Sequence, residues 1–387
     1  MGPRAHERPR ALRDGLGLSG AIAIRVALLL LAVTALASGV AGGLARMGAA
    51  IALPQAAAFH GVLMVSGFLG TVISLERAVA LGLPAAYAAP LASGLGTVAL
   101  LSGFHAAGSA LWIVAPAALF AASLAIVRRQ AAIHTVLLAI AALAWLAASL
   151  SFALAAPQAA LPWGFAFLVL TIAAERLEMT RLMRRRPAAH PLFHAVTALM
   201  LGGAALSAFD PRLGAFAFGA SLVAMAAWLA AFDIARRTVR TEGFARYAAV
   251  ALLGGYAWLA LAGFAWAAVP SAPAMRDAAL HALGLGFVFS MILAHAPLIV
   301  PVIARVQMRF VPFFYVPLVL LHASLVLRLG APGGFDTPAL RLAGGVLNAA
   351  ALVVFVATIV YAIATAPGAT AGRGRRRPQS RTETESR

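Results

Sequence analysis

The sequence predicts an all-α polytopic membrane protein of about twelve transmembrane helices, and three observations carry that expectation. Of its 387 residues 63% are hydrophobic and 11% are charged, where soluble domains carry about a quarter charged; mean hydropathy is +0.92. Apolar runs of the roughly 20 residues needed to cross a bilayer follow one another along nearly the whole chain. The 30 basic residues, all arginine, fall at the ends of those runs. A net charge of +18 would otherwise point to nucleic acid; at run ends it is a topology signal. The expected partner is therefore the lipid bilayer, with no nucleic acid. The absence of cysteine excludes disulfides, zinc–thiolate sites and iron–sulfur clusters. Any metal would rest on His, Met, carboxylate or a cofactor. No soluble catalytic domain fits beside twelve spans, and whether the chain is an enzyme stays open.

Residues 1–19 are polar, hold Arg4, Arg8, Arg10 and Arg13, and read as a cytoplasmic arm. The apolar run from about Leu18 to Ala45 exceeds the roughly 7–15 residues of a signal-peptide core and reads as helix 1. The later runs, bounded by Pro, Gly or Arg, cover 55–76, 87–106, 110–127, 131–155, 160–180, 192–208, 212–234, 246–268, 277–303, 312–329 and 339–364. These make one transmembrane domain over 20–366. Residues 367–387 form a disordered basic tail too polar to fold, suited to anionic headgroups. Turns after helices 2, 4, 6, 8 and 10 hold most arginines, including Arg77, Arg128, Arg129, Arg184–Arg186, Arg236, Arg237 and Arg305. The opposite turns hold Arg46, Arg212, Arg276, Arg328 and Arg341. The positive-inside rule then places both termini in the cytoplasm of a bacterial inner membrane.

A faint repeat runs through the helices. Helix 2 reads Gly67-Phe68 and then Glu76-Arg77, and helix 6 reads Gly164-Phe165 and then Glu175-Arg176 with Glu178 one turn on. Helix 10 shares with helix 2 a histidine one turn inside its outer end, His60 and His281, followed by Gly67-Phe68 or Gly286-Phe287. A period of four helices in twelve implies three four-helix arcs in pseudo-threefold arrangement. The bland reading of Glu76, Arg77, Glu175, Arg176, Glu178 and the Asp233/Arg236 pair is charges snorkelling at headgroup level. The functional one is proton entry or anchoring of cofactor carboxylates.

Histidines at membrane depth cost several kcal/mol unless paired or ligating. His60, His105 and His281 fall in the same leaflet, where two neutral imidazoles from facing helices can hold a haem iron. Met64, one turn from His60, packs on such a ring or serves as an alternative axial ligand. His295 follows His281 by fourteen residues, which at about 100° per residue gives the two rings the same facing at different depths. His322 in helix 11 lies at a depth comparable to His295, so the two make a second haem or copper site possible. Pro297 and Pro301, just beyond, predict a kink.

The stretch His60-Gly61-Val62-Leu63-Met64 resembles the His-Gly-x-x-Met segment with which helix 2 of haem–copper oxidase main subunits holds the low-spin haem. The segment from His281 to His295 resembles a His-Ala-Leu-x-x-Gly stretch of the NnrS family, twelve-span haem- and copper-containing membrane proteins linked to nitric oxide stress. The resemblance implies haem b on His60 and His281, copper as a possible second metal, and a respiratory redox partner. It also implies three arcs of four helices. An oxidase would need a copper-binding histidine in helix 6 and a histidine pair in helix 7. Helix 6 has none and helix 7 offers only His194, so oxygen reduction at a haem–copper centre is not expected. Two rivals share the same residues. A proton-coupled small-solute transporter would show gradient-driven uptake without visible absorbance, and an assembly factor for a respiratory complex would co-purify with its subunits.

Overall fold

The structure is a computed structural model and describes residues 8–179, 187–304, 306–329 and 338–367. Arg4, Arg184–Arg186, Arg305 and the arginines of the tail from Arg373 onward lie outside the described residues. Among those described, twelve helices are long and apolar enough to cross a membrane. The chain is a multi-pass membrane protein. The helices are α1 (Arg8–Arg46), α2 (Pro54–Leu81), α3 (Pro84–Leu101), α4 (His105–Arg129), α5 (Ile133–Ala153), α6 (Ala159–Met179), α7 (Ala189–Leu206), α8 (Pro211–Phe232), α9 (Gly243–Ala268), α10 (Met275–Val302), α11 (Pro312–Leu329) and α12 (Pro338–Ala364). Helix α1 extends back into the stretch read as an arm, and its apolar span starts at Ile22.

Punctuation read from the sequence sets the ends. Proline opens α2, α3, α8, α11 and α12, where its missing N–H costs nothing. At α8 the Asp210 side chain accepts from the N–H groups of Arg212 and Leu213, each at 3.0 Å. Gly82, at φ +68°, closes the helix before it.

Packing follows the four-helix period. α6 contacts the middle stretches of both α2 and α10, α2 and α10 meet through the ring pairs His60–His281 and Phe68–Phe289, and the other helices contact in chain order until α12 meets α1. The inner position shows in burial: 78% of the central window of α6 is buried inside the protein, against 22% for α1. Close approach rests on small residues. A Cβ on Gly219 of α8 would lie 2.5 Å from the Gly263 carbonyl of α9, so these backbones meet directly, the membrane alternative to a solvent-driven core.

Two of the inner helices share a deformation the sequence repeat did not disclose. Leu63–Gly70 in α2 and Ala282–Phe289 in α10 are wide π-type turns with i→i+5 bonding, each starting just after a histidine, His60 or His281. Each widened stretch has a glycine beneath a tryptophan: a Cβ on Gly70 would run into the Trp145 ring, and one on Gly286 would sit 2.5 Å from Trp258. Trp145 cannot yield, because its Nε1 donates to Ser66 at 3.0 Å and its ring stacks on Phe167. Gly70→Ala is therefore expected to cost about 1–3 kcal/mol by overpacking, read as a lowered unfolding midpoint in detergent. Beyond its wide turn α10 stays helical through Pro297 and Pro301.

Candidate functional site

The histidine end of α2 and α10 brings together two of the expected ligands. The rings of His60 and His281 lie 6.2 Å apart between centroids and 19° from parallel. Each has one nitrogen fixed. His60 Nδ1 lies 2.6 Å from the Gly39 carbonyl of α1, which can only accept, so the proton is on Nδ1 and Nε2 carries the lone pair. His281 Nδ1 faces both the main-chain oxygen of Asp277 at 3.0 Å and its carboxylate at 2.9 Å, with the same consequence. Anchoring one ring nitrogen on a carbonyl or carboxylate is how ligating histidines are oriented.

Arg328 of α11 completes this corner. It grips the Asp277 carboxylate through Nη2 at 2.9 Å and Nε at 3.3 Å, and its side chain is 9% exposed. Nη2 also lies 3.1 Å from Nε2 and 3.3 Å from Nδ1 of His281. A donor in line with the Nε2 lone pair would be about 5 Å from Nδ1. The near-equal distances therefore put the guanidinium over the ring face, a cation–π contact that leaves the in-plane lone pair available.

Two connected spaces surround the pair. One, of about 140 Å³, is apolar and reaches into the bundle past Met64, Leu69, Phe165 and Phe289. The other, of about 570 Å³, opens at the histidine end and is lined by Arg46, Arg276, Arg328 and Arg341, with Asp277 the one carboxylate among its described lining residues. Both share His60 and His281. Asn348 of α12 lines the apolar space, 4% exposed. Its Nδ2 donates to Ser324 at 2.6 Å, while its Oδ1 is buried without a protein partner. The chamber thus offers acceptors on an apolar wall and cations at its mouth.

The remaining expected residues are placed elsewhere. His105 is exposed, with Nε2 3.2 Å from Gln55 Oε1 and its ring against Phe59, and lines neither space; His105→Ala should leave ligand binding at the histidine pair unchanged in a titration of the purified protein. Met64 lines the apolar space, but its sulfur packs over Gly39 of α1, 2.6 Å from where a Cβ would stand. It serves as wall. The second two-histidine site does not form. His322 Nδ1 accepts from Trp258 at 2.6 Å and its Nε2 faces Ser290 at 3.3 Å. His295 instead bonds the Met291 carbonyl at 2.7 Å and Arg176 at 3.0 Å. The depth count from the cytoplasmic turn failed here, because His322 reaches α10 at Ser290, five residues, or about 7.5 Å of helix, before His295. Among the described residues no group of three or more His, Asp and Glu side chains is arranged to hold a metal.

At the opposite, carboxylate end two of the charge pairs, Arg176–Asp233 and Arg77–Glu175, join different helices rather than snorkelling singly. Arg176 Nε donates to Asp233 at 2.7 Å with side chains 6% and 0% exposed, so Asp233 pairs across the bundle rather than with Arg236. Arg77 joins α2 to Glu175 of α6 at 2.5 Å and lies 3.9 Å from Glu76. Glu178, at the rim, is 3.9 Å from His134. Glu76 is sixteen residues from His60, about 24 Å of helix, so this cluster cannot anchor anything bound at the histidine pair. The arginine mouth is the feature placed to do so.

Asp277, Arg328 and Asn348 were not singled out as site residues in the sequence. Two signals were present: Asp277 precedes His281 by one helical turn, and Arg328 stands alone in an apolar helix.

Fold and site together define a multi-pass membrane protein with a paired-histidine chamber at one end of its inner helices and a buried charge cluster at the other. The profile of a family described as "Domain of unknown function (DUF8744)" matches residues 25–364, and the chain belongs to that family. No curated protein and no solved structure matches it.

Proposed function

We propose that the protein is a membrane haem protein in which His60 and His281 supply both axial ligands. The observation that carries this is the ring pair itself. An imidazole nitrogen lies about 1.1 Å from its ring centre and binds metal at about 2.0 Å, so two imidazoles in line on one ion place their centroids about 6.2 Å apart. The observed separation is 6.2 Å. The rest of the site suits the same group: Leu69, Phe165 and Phe289 offer the apolar wall a macrocycle needs, and Arg46, Arg276, Arg328 and Arg341 face where its carboxylates would emerge. Held by these two imidazoles, a haem would supply one-electron transfer chemistry. Gly39 and Asp277 fix the Nδ1 of each ring, leaving Nε2 of each as the donor atom, and Arg328 holds Asp277 in place.

The test is the visible spectrum and iron content of protein purified from haem-replete cells. The reading expects a Soret band and one iron per chain; haem-free protein under haem supply overturns it.

The same reading places the histidine pair toward the periplasm of a bacterial inner membrane. An even number of spans puts both termini on one side, and the arginine-rich turns assign that side to the cytoplasm. Because the chain has no cysteine, single cysteines report sidedness directly. Ala50→Cys, between α1 and α2, should react with an impermeant thiol reagent in intact cells opened only at the outer membrane. Thr241→Cys, between α8 and α9, should react only after the inner membrane is permeabilised. The reverse pattern inverts the topology.

A further inference from the structure

We infer that the carboxylate end of the inner helices is a one-proton binding site and that the proton resides on Glu76. The argument is a charge count within a partly buried cluster. Arg176 gives one bond to Asp233 at 2.7 Å and another to His295 Nε2 at 3.0 Å. His295 adds no charge: its Nδ1 donates to the Met291 carbonyl and its Nε2 must accept, because a guanidinium only donates. Asp233 is consumed by Arg176 and by the Ala235 N–H at 2.6 Å. Among the described residues that leaves Arg77 as the one cation bonded to the other two carboxyl groups, Glu175 at 2.5 Å and Glu76 at 3.9 Å.

The other titratable groups facing the cluster do not alter the count. Glu178 is 42% exposed and lies against His134 of α5, where water screens it. Tyr256 of α9 contributes a neutral phenol. Among the described residues two cations thus stand against three carboxyl groups, of which Asp233 is buried and Glu175 and Glu76 are 24% and 31% exposed, within the spans of a membrane protein. An uncompensated carboxylate there costs several kcal/mol, and taking up a proton removes that cost. Glu76 is the carboxyl with the longer contact to Arg77. The Arg77 Nε is buried and without a partner, a donor in reserve for Glu76 once its proton leaves to water at the rim beside Glu178. The site therefore has two states, Glu76 neutral and set back, or ionised and drawn onto Arg77. It does not depend on a cofactor at the other end.

The experiment is infrared spectroscopy of the purified full-length protein at neutral pH, in water and in deuterium oxide, with carbon-13 glutamate to separate Glu from Asp. The expected result is one protonated glutamate C=O band that shifts in deuterium oxide, disappears in Glu76→Gln and persists in Glu178→Gln. Absence of that band in the unmodified protein, as a bound sodium ion would cause, overturns the inference, and so does its survival in Glu76→Gln. Should Glu76→Gln fail to fold, Glu76→Asp decides: the band must leave the glutamate-labelled position, and its persistence there is contrary.

Discussion

His60→Ala and His281→Ala proteins are each expected to purify with little or no haem, while Asp277→Ala retains it with affinity weakened about 10- to 100-fold. The order follows from the geometry. Each alanine removes one of the two imidazoles, whereas Asp277→Ala removes the carboxylate that orients His281 and is gripped by Arg328. Losing Asp277 also frees the Arg328 guanidinium, now buried without its counter-charge, so some loss of stability should accompany the loss of affinity. Titration of haem-depleted protein with haem, followed by absorbance, measures all three. Equal affinity in the unmodified and His281→Ala proteins would remove α10 from the site.

The second large effect is expected at the other end of the bundle. Arg176→Met leaves Asp233, whose side chain is 0% exposed, charged in the interior, and breaking a buried pair on one side costs about 3–5 kcal/mol. Little folded protein should be recovered. Adding Asp233→Asn removes the stranded charge while keeping an oxygen for the Ala235 N–H, and should restore much of the loss. Thermal unfolding in detergent tests this. A double variant no better than the single one would mean that the pair's geometry matters more than its charge balance.

The helices were legible because lipid forces each span to announce itself by length and hydropathy. The observed ends fall within a few residues of those read from Pro, Gly and Arg, as at Pro312–Leu329. The four-helix period was legible in Glu76-Arg77 and Glu175-Arg176, whose helices prove to be in contact. So was the meeting of His60 and His281, since both sit one turn inside the same end of such helices. What failed has local physical causes. The pairing of His295 with His322 depended on equal depth, and His322 instead meets α10 at Ser290, five residues before His295. The charges of Arg176 and Asp233 looked interfacial because each stands at a helix end, yet they meet across the bundle. Pairings between distant helices, such as Trp258 with His322, leave no periodic trace in the chain.

The central claim is that one iron lies between two imidazoles, and low-temperature electron paramagnetic resonance of the oxidised protein tests it most directly. Rings 19° from parallel split the iron d orbitals strongly, so a rhombic low-spin ferric signal is predicted, and it is absent from His60→Ala. A high-spin signal in the unmodified protein, or haem whose signal survives in both histidine variants, would contradict the account.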